Sequence, residues 1–236
     1  MRRTKNLVAG VILFFSLFLY FIFSFEAPAA GFAHPLGGVT FLTGALFSFH
    51  LFFKHQLKRL FSNVKNPIRT YGILMLIAGL VLETLAYVGN IPKIITGQDV
   101  FLFSPNYVID MLIGLPHYIV LALVWVWFLK RYQISLMEQV LLVGIFWAIK
   151  VDQFHHLFML IGGGVPGVID FFIAGSIVAF GLCWPLLLVE DKIAEQFPSR
   201  KKGFVKYLFS IPVQVVPFIV LFITGFIYHG LILGQF

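Results

Sequence analysis

The chain has 236 residues, of which 60% are hydrophobic and only 11% charged, with a net charge of +7 and a mean hydropathy of +0.96. A soluble domain carries roughly 25% charged residues, so the composition excludes a water-soluble globular enzyme and points to an all-α, polytopic integral membrane protein. The basic excess does not point to nucleic acid, because Lys and Arg fall in short loops between apolar runs, where they set topology and meet anionic lipid headgroups.

Taken in order, an apolar run over residues 7–25 follows the basic start Met1-Arg-Arg-Thr-Lys-Asn6. Ala27-Pro-Ala29 resembles a signal-peptidase site, but the run exceeds the roughly 7–15 residues of a signal core and predicts a first membrane span instead. A second span over 36–53 leads into a connector carrying Lys54, Lys58, Arg59, Lys65 and Arg69. The third span covers 71–90 and the fourth 107–128, closed by Lys130 and Arg131. The fifth runs over 136–161 and is broken by Gly162-Gly-Gly-Val-Pro-Gly167. The sixth covers 168–189, followed by Lys192, Arg200, Lys201, Lys202 and Lys206. The seventh, 207–232, contains Pro212 and Pro217 and should be kinked. Spans of about 20 residues fit a ~30 Å hydrocarbon core. The expectation is one seven-helix transmembrane domain over residues 1–236, a multi-pass protein of the cell membrane.

Orientation follows from charge. With the N-terminus cytoplasmic and the C-terminus outside, the inner segments hold 15 of the 17 Lys and Arg residues. Lys93 is then outside and Lys150 lies within the membrane. The inverted arrangement would place nearly all of them outside, against the positive-inside rule. Cys183, the single cysteine, sits in an apolar run, which excludes an intrachain disulfide and a cysteine-cluster metal site.

Chemistry is expected where ionisable groups enter the apolar spans, since such groups are costly in lipid and mark functional sites by default. Counting 1.5 Å per residue from the inner helix ends places Glu83 at ~18 Å and His117 at ~20 Å, near the midplane. Asp110, Asp152 and Asp170 fall near ~30 Å, close to the outer boundary. The stretch Lys150-Val-Asp-Gln-Phe-His-His156 puts Asp152, His155 and His156 on one helix face. Glu83, Tyr87 and Asn90 form a polar stripe on the third span, and Asp110, Gly114 and His117 form one on the fourth. Together these stripes suggest a polar cavity open to the outer side. Lys150 is ~160° around its helix from Asp152 and is a candidate partner for Glu83.

Three readings of Asp152, His155 and His156 stand side by side. They can ligate one divalent metal ion, zinc or iron, with further ligands from Asp110, Asp170 or His117. They can line a hydrated polar path, or they can be a helix end wetted at the headgroups. His34, His50, His55 and His229 lie near span ends and carry less weight. Trp125, Trp127 and Trp184 fit an inner aromatic belt.

His156-Leu-Phe-Met-Leu-Ile-Gly162 resembles the histidine-bearing end of the last helix in haemolysin III-like and progestin/adipoQ receptor-type membrane hydrolases. Those families place a second histidine four residues earlier, where this chain has Asp152. The likeness covers about a dozen residues, lies on the fifth span and lacks the families' other motifs. It implies zinc-dependent hydrolysis. A retinal protein is excluded, because the seventh span carries Phe218-Ile-Val-Leu-Phe-Ile-Thr224 where those families carry a lysine.

The leading expectation is a membrane-embedded enzyme acting on a lipid or other hydrophobic substrate. Asp152, His155 and His156 hold the metal, with Asp110 or Asp170, while Glu83, His117 and Lys150 handle protons. The alternatives are a proton- or ion-coupled transporter using the same residues, and a non-catalytic subunit of a larger membrane complex.

Overall fold

A computed structural model describes residues 34–97, 104–150, 161–165 and 179–232. The expected first span, the Asp152–His156 face and most of the expected sixth span lie outside the described residues. Among those described, the secondary structure is helical apart from one isolated bridge. Among the described residues, three helices are long and apolar enough to cross a membrane: Pro67–Thr96, Tyr107–Arg131 and Val205–Gly230.

Helix α1, His34–Ser62, runs nine residues past the expected end at Phe53. Phe53 itself departs from helical geometry (φ −109°, ψ 16°), so the apolar run ends in a kink rather than a stop. The basic stretch beyond it stays helical because it is amphipathic. Leu57 is buried among exposed Lys54, Lys58 and Arg59.

Helix α2, Pro67–Thr96, exceeds its expected span at both ends. Asn66 caps it by accepting the Arg69 amide at 3.2 Å, and Pro67 occupies the first helical position, where no N–H is needed. The helix continues through Pro92 to Gly97, whose φ of +66° supplies the left-handed ending that favours glycine. Helix α3, Tyr107–Arg131, is capped by the Asn106 side chain, which accepts from Val108 N (3.0 Å) and Ile109 N (3.3 Å).

Helix α4, Leu136–Lys150, opens on a reciprocal cap. Glu138 Oε2 accepts the Ser135 amide at 2.8 Å while Ser135 Oγ accepts the Glu138 amide at 3.3 Å. Residues 179–183 are helical, a turn intervenes at Trp184-Pro185, and α5 resumes over Leu186–Gln196. It outruns the expected end at residue 189 as an amphipathic helix that buries Leu186, Val189 and Ile193. Helix α6, Val205–Phe226, passes through Pro212 and Pro217 and goes over to a π-helix at Ile227–Ile232.

Helix α3 is the centre of the bundle, with α2 on one side and α6 on the other, while α1 packs on α2 and α5 touches both α1 and α2. The core is densest toward the carboxyl end of α3, around Trp125, Phe128 and Leu129, all fully buried. Trp125, expected in an interfacial belt, is a core residue packed edge-on against Phe128 (5.2 Å between centroids). Trp127 is the exposed one, with the Arg131 guanidinium 4.5 Å over its ring. The outward faces are apolar: Ile73, Ile77, Val81 and Val88 on α2, and Phe222, Ile223 and Phe226 on α6.

Three of the basic connectors meet at one end of the bundle. Lys201 N donates to Arg131 O (2.8 Å) and Gln133 N to Lys201 O (3.0 Å), joining the α3–α4 and α5–α6 connectors. Lys206 pairs with Glu138 at 2.5 Å, and Lys58 of α1 reaches Asp191 of α5 at 3.4 Å. Charge that the sequence distributes over four segments is thus gathered, in three of them, at one pole.

Candidate functional site

The polar residues of the core are positioned by α2 and α3. Small residues bring these helices together. A Cβ on Gly79 would fall 2.3 Å from Tyr118 Cδ1, so the Tyr118 ring lies directly on the α2 backbone. From that position Tyr118 Oη donates to Glu83 Oε2 at 2.5 Å, one turn further along α2. Gly114, one turn before Tyr118, faces the same carboxylate, and a Cβ there would meet Glu83 Cδ at 3.6 Å. Glu83 is half-buried and Tyr118 only 2% exposed. A hydrogen bond to a carboxylate is among the stronger neutral–ionic kinds, and this one fixes both groups.

His117 points elsewhere on the same helix. Its Nδ1 lies 2.8 Å from the carbonyl oxygen of Pro217 on α6, and the ring is buried. A carbonyl can only accept, so Nδ1 carries the hydrogen, and in the neutral ring Nε2 is the accepting nitrogen. The Tyr118 ring is edge-on to His117 at 5.1 Å, and Trp147 of α4 approaches it at 6.2 Å. His117 therefore stands where α3, α4 and α6 converge. Thr224 Oγ1 reinforces the α3–α6 contact by donating to Ile113 O (3.1 Å), beside the carbonyl that Pro116 leaves without a helical donor.

The stripe expected from Asp110, Gly114 and His117 therefore divides, with Gly114 and Tyr118 toward Glu83 and His117 toward α6. Asp110 is two turns, ~10 Å along the axis, from His117. It is fully buried, and its Oδ1 accepts the Ser104 amide at 3.4 Å. Ser104 Oγ in turn receives Tyr228 Oη from the π-helix at 3.3 Å, so Asp110 fastens the segment before α3 to the end of α6. Asn90 is also fully buried and donates back to Ala86 O at 2.8 Å.

Lys150 closes α4, one turn beyond Trp147. Asp152, His155, His156 and Asp170 lie outside the described residues. Among the described residues no group of three or more His, Cys, Asp or Glu could hold a metal ion.

Sequence reasoning missed a second buried polar pair nearer the basic end. Gln139, fully buried on α4, donates to Tyr71 Oη, which donates to Met75 Sδ at 3.1 Å. Ser210 and Gln214 of α6 are buried in the same half of the bundle. Gln139 Oε1 and Gln214 Nε2 have no hydrogen-bond partner among the described residues. The missed signal was the polar residue itself: a glutamine one turn into an apolar helix needs a partner. Comparison with protein families, curated proteins and solved structures finds no match to this chain.

Proposed function

We propose that this chain is a seven-span protein of the cell membrane, N-terminus cytoplasmic and C-terminus outside, and that it is an enzyme acting on a lipid or other hydrophobic substrate. The observation that carries this reading is the orientation of His117. Its Nδ1–H is held by the Pro217 carbonyl, which makes Nε2 the basic nitrogen. The next residue, Tyr118, holds the Glu83 carboxylate at the same level of the core. An imidazole oriented through its far N–H is the arrangement found in general bases and in metal-ligating histidines alike.

In this mechanism His117 accepts a proton at Nε2, and the Glu83–Tyr118 pair is a second proton-handling group on the α2 side of the same helix. The apolar exterior of α2 and α6 admits a substrate from the bilayer. Lys150 is the third proton-handling candidate. Asp152, His155 and His156, with Asp170, would hold a zinc or iron ion, which would supply Lewis-acid activation of water. Asp110 has a structural duty at Ser104, and we assign it the weakest share of that ligand set.

A second reading, a proton-coupled carrier, is favoured by one observation. Buried polar side chains continue past Glu83 toward the basic end, through Tyr71, Gln139, Ser210 and Gln214. Gln139 and Gln214 carry polar atoms without a partner among the described residues, which water can satisfy.

The two readings separate in proteoliposomes made with a total lipid extract. The enzyme reading expects new lipid products by mass spectrometry, lost in His117→Ala and strongly reduced in Glu83→Gln. It also expects bound zinc or iron in the parent and its loss in Asp152→Asn. Proton flux that depends on Glu83, with an unchanged lipid profile, would replace the enzyme by the carrier. Neither products nor flux would remove both.

A further inference from the structure

Between α2 and α3, on the periphery of the bundle, lies a groove of about 310 Å³. Its walls are apolar: Leu76 and Ile73 from α2, Ile119 and Leu123 from α3. Gly72 forms part of the floor, and even a Cβ there would fall 2.8 Å from Val126 Cγ2. Ile73 is 50% and Leu123 61% exposed, so the groove opens outward along its length rather than into the core.

One end of the groove is chemically different from the rest. Arg69, two residues into α2, and Lys130, near the end of α3, both border it, with Asn66 beside them. Both cations are exposed, and neither forms an ion pair among the described residues. Other cations at this pole, Lys65 and Lys202 among them, are also exposed and unpaired among the described residues, but neither borders the groove, and some are engaged. Lys58, Lys192 and Lys206 pair with carboxylates, and Arg131 stacks on Trp127. The groove thus ends in two positive charges from two helices, with no acid among the described residues paired to either.

We propose that this groove binds one anionic glycerophospholipid, with its phosphate between Arg69 and Lys130 and one acyl chain laid along Leu76, Ile119 and Leu123. The dimensions agree. From Lys130 to Ile119 is ~16 Å along α3, about half of a ~30 Å hydrocarbon core and therefore one leaflet. The charge agrees too, since the basic pole is the face expected toward the anionic cytoplasmic leaflet. A zwitterionic lipid fills the same walls but brings its own cation to the mouth, which opposes Arg69 and Lys130.

The inference rests on the membrane reading and on no chemistry at Glu83 or His117. Native mass spectrometry of the full chain in detergent, titrated with dioleoyl-phosphatidylglycerol or dioleoyl-phosphatidylcholine, tests it. The expected result is one retained phosphatidylglycerol and weaker phosphatidylcholine binding. Each of Arg69→Gln and Lys130→Gln should weaken the anionic lipid about fivefold, the effect of one nearby cation. Leu123→Trp, which fills the open wall without touching the charges, should lower retention of both lipids. Lys65→Gln, a basic residue of the same connector that does not border the groove, should change nothing.

Equal binding of the two lipids, or equal loss in Lys65→Gln, would mean a diffuse positive field and would overturn the groove site. A chain that stays in solution without detergent would overturn the membrane reading instead. Failure to detect lipid turnover would bear on neither.

Discussion

Glu83 and His117 could be picked from the sequence because ionisable groups stand out in an apolar run. Tyr118 could not, because a tyrosine in such a run reads as packing. What would have pointed to it is geometry: Tyr118 is one turn from Gly114, and its ring needs a residue without a side chain opposite, which is Gly79. That arrangement gives a sharp expectation. The Tyr118 ring is held by Glu83 through its hydroxyl and flanked by the His117 ring, so it cannot yield to a methyl group at Gly79. Gly79→Ala should gain up to ~1 kcal/mol of helix propensity but lose about 1–3 kcal/mol to overpacking, for a net loss of stability. Gly114→Ala meets Glu83 at an ordinary 3.6 Å and should be neutral or slightly stabilising. Thermal unfolding of the two variants in detergent decides it. If Gly79→Ala melts at or above Gly114→Ala, the close approach of α2 to the Tyr118 ring is wrong.

Among the described elements, helical character was legible and helix ends were not. Hydropathy stops where charge begins, whereas a helix stops where its backbone loses partners. Hence α1 continues beyond Phe53 and α5 beyond Val189 as amphipathic helices, and α2 passes through Pro92 to its glycine ending. The caps at Asn66, Asn106 and Ser135 are side-chain hydrogen bonds to the first turn, which a hydropathy reading does not register. Helix α5 carries its own testable electrostatics. Burial, then repulsion from Asp191, push the Glu190 carboxyl above its ordinary 4.5, with Arg200 working against them. The folded state therefore disfavours the ionised form more than the unfolded state does. Stability from the neutral carboxyl is fully present below pH 4.5 and is lost as pH rises through the raised folded value. Glu190→Gln should melt higher than the parent at pH 8, and the difference should close as pH is lowered toward 4. A gap that widens on acidification would contradict the assignment. So would one that stays constant with pH.

For the molecule as a whole, the pattern of basic residues was the most informative part of the sequence. Three connectors far apart in the chain carry most of the charge, and the fold brings all three to one pole through the Arg131–Lys201, Lys206–Glu138 and Lys58–Asp191 contacts. What the sequence could not convey is which polar stripes face each other, because helix rotation is decided by packing at positions such as Gly79 and Thr224. The proposed orientation keeps this basic pole in the cytoplasm, since translocating a dense cluster of Lys and Arg is disfavoured. Cys183, the single native cysteine, is fully buried, so the parent should react little with thiol reagents. Exposed cysteines can therefore report orientation directly. Lys65→Cys and Lys202→Cys sit at the basic pole, and Thr96→Cys sits at the far end of α2, a helix of 30 residues or ~45 Å. In intact cells a membrane-impermeant maleimide should label Thr96→Cys and spare the other two. After permeabilisation all three should react. Labelling of Lys65→Cys or Lys202→Cys from outside would reverse the orientation and move the proposed lipid groove to the outer leaflet. Labelling of all three in intact cells would mean that α2 does not cross the membrane.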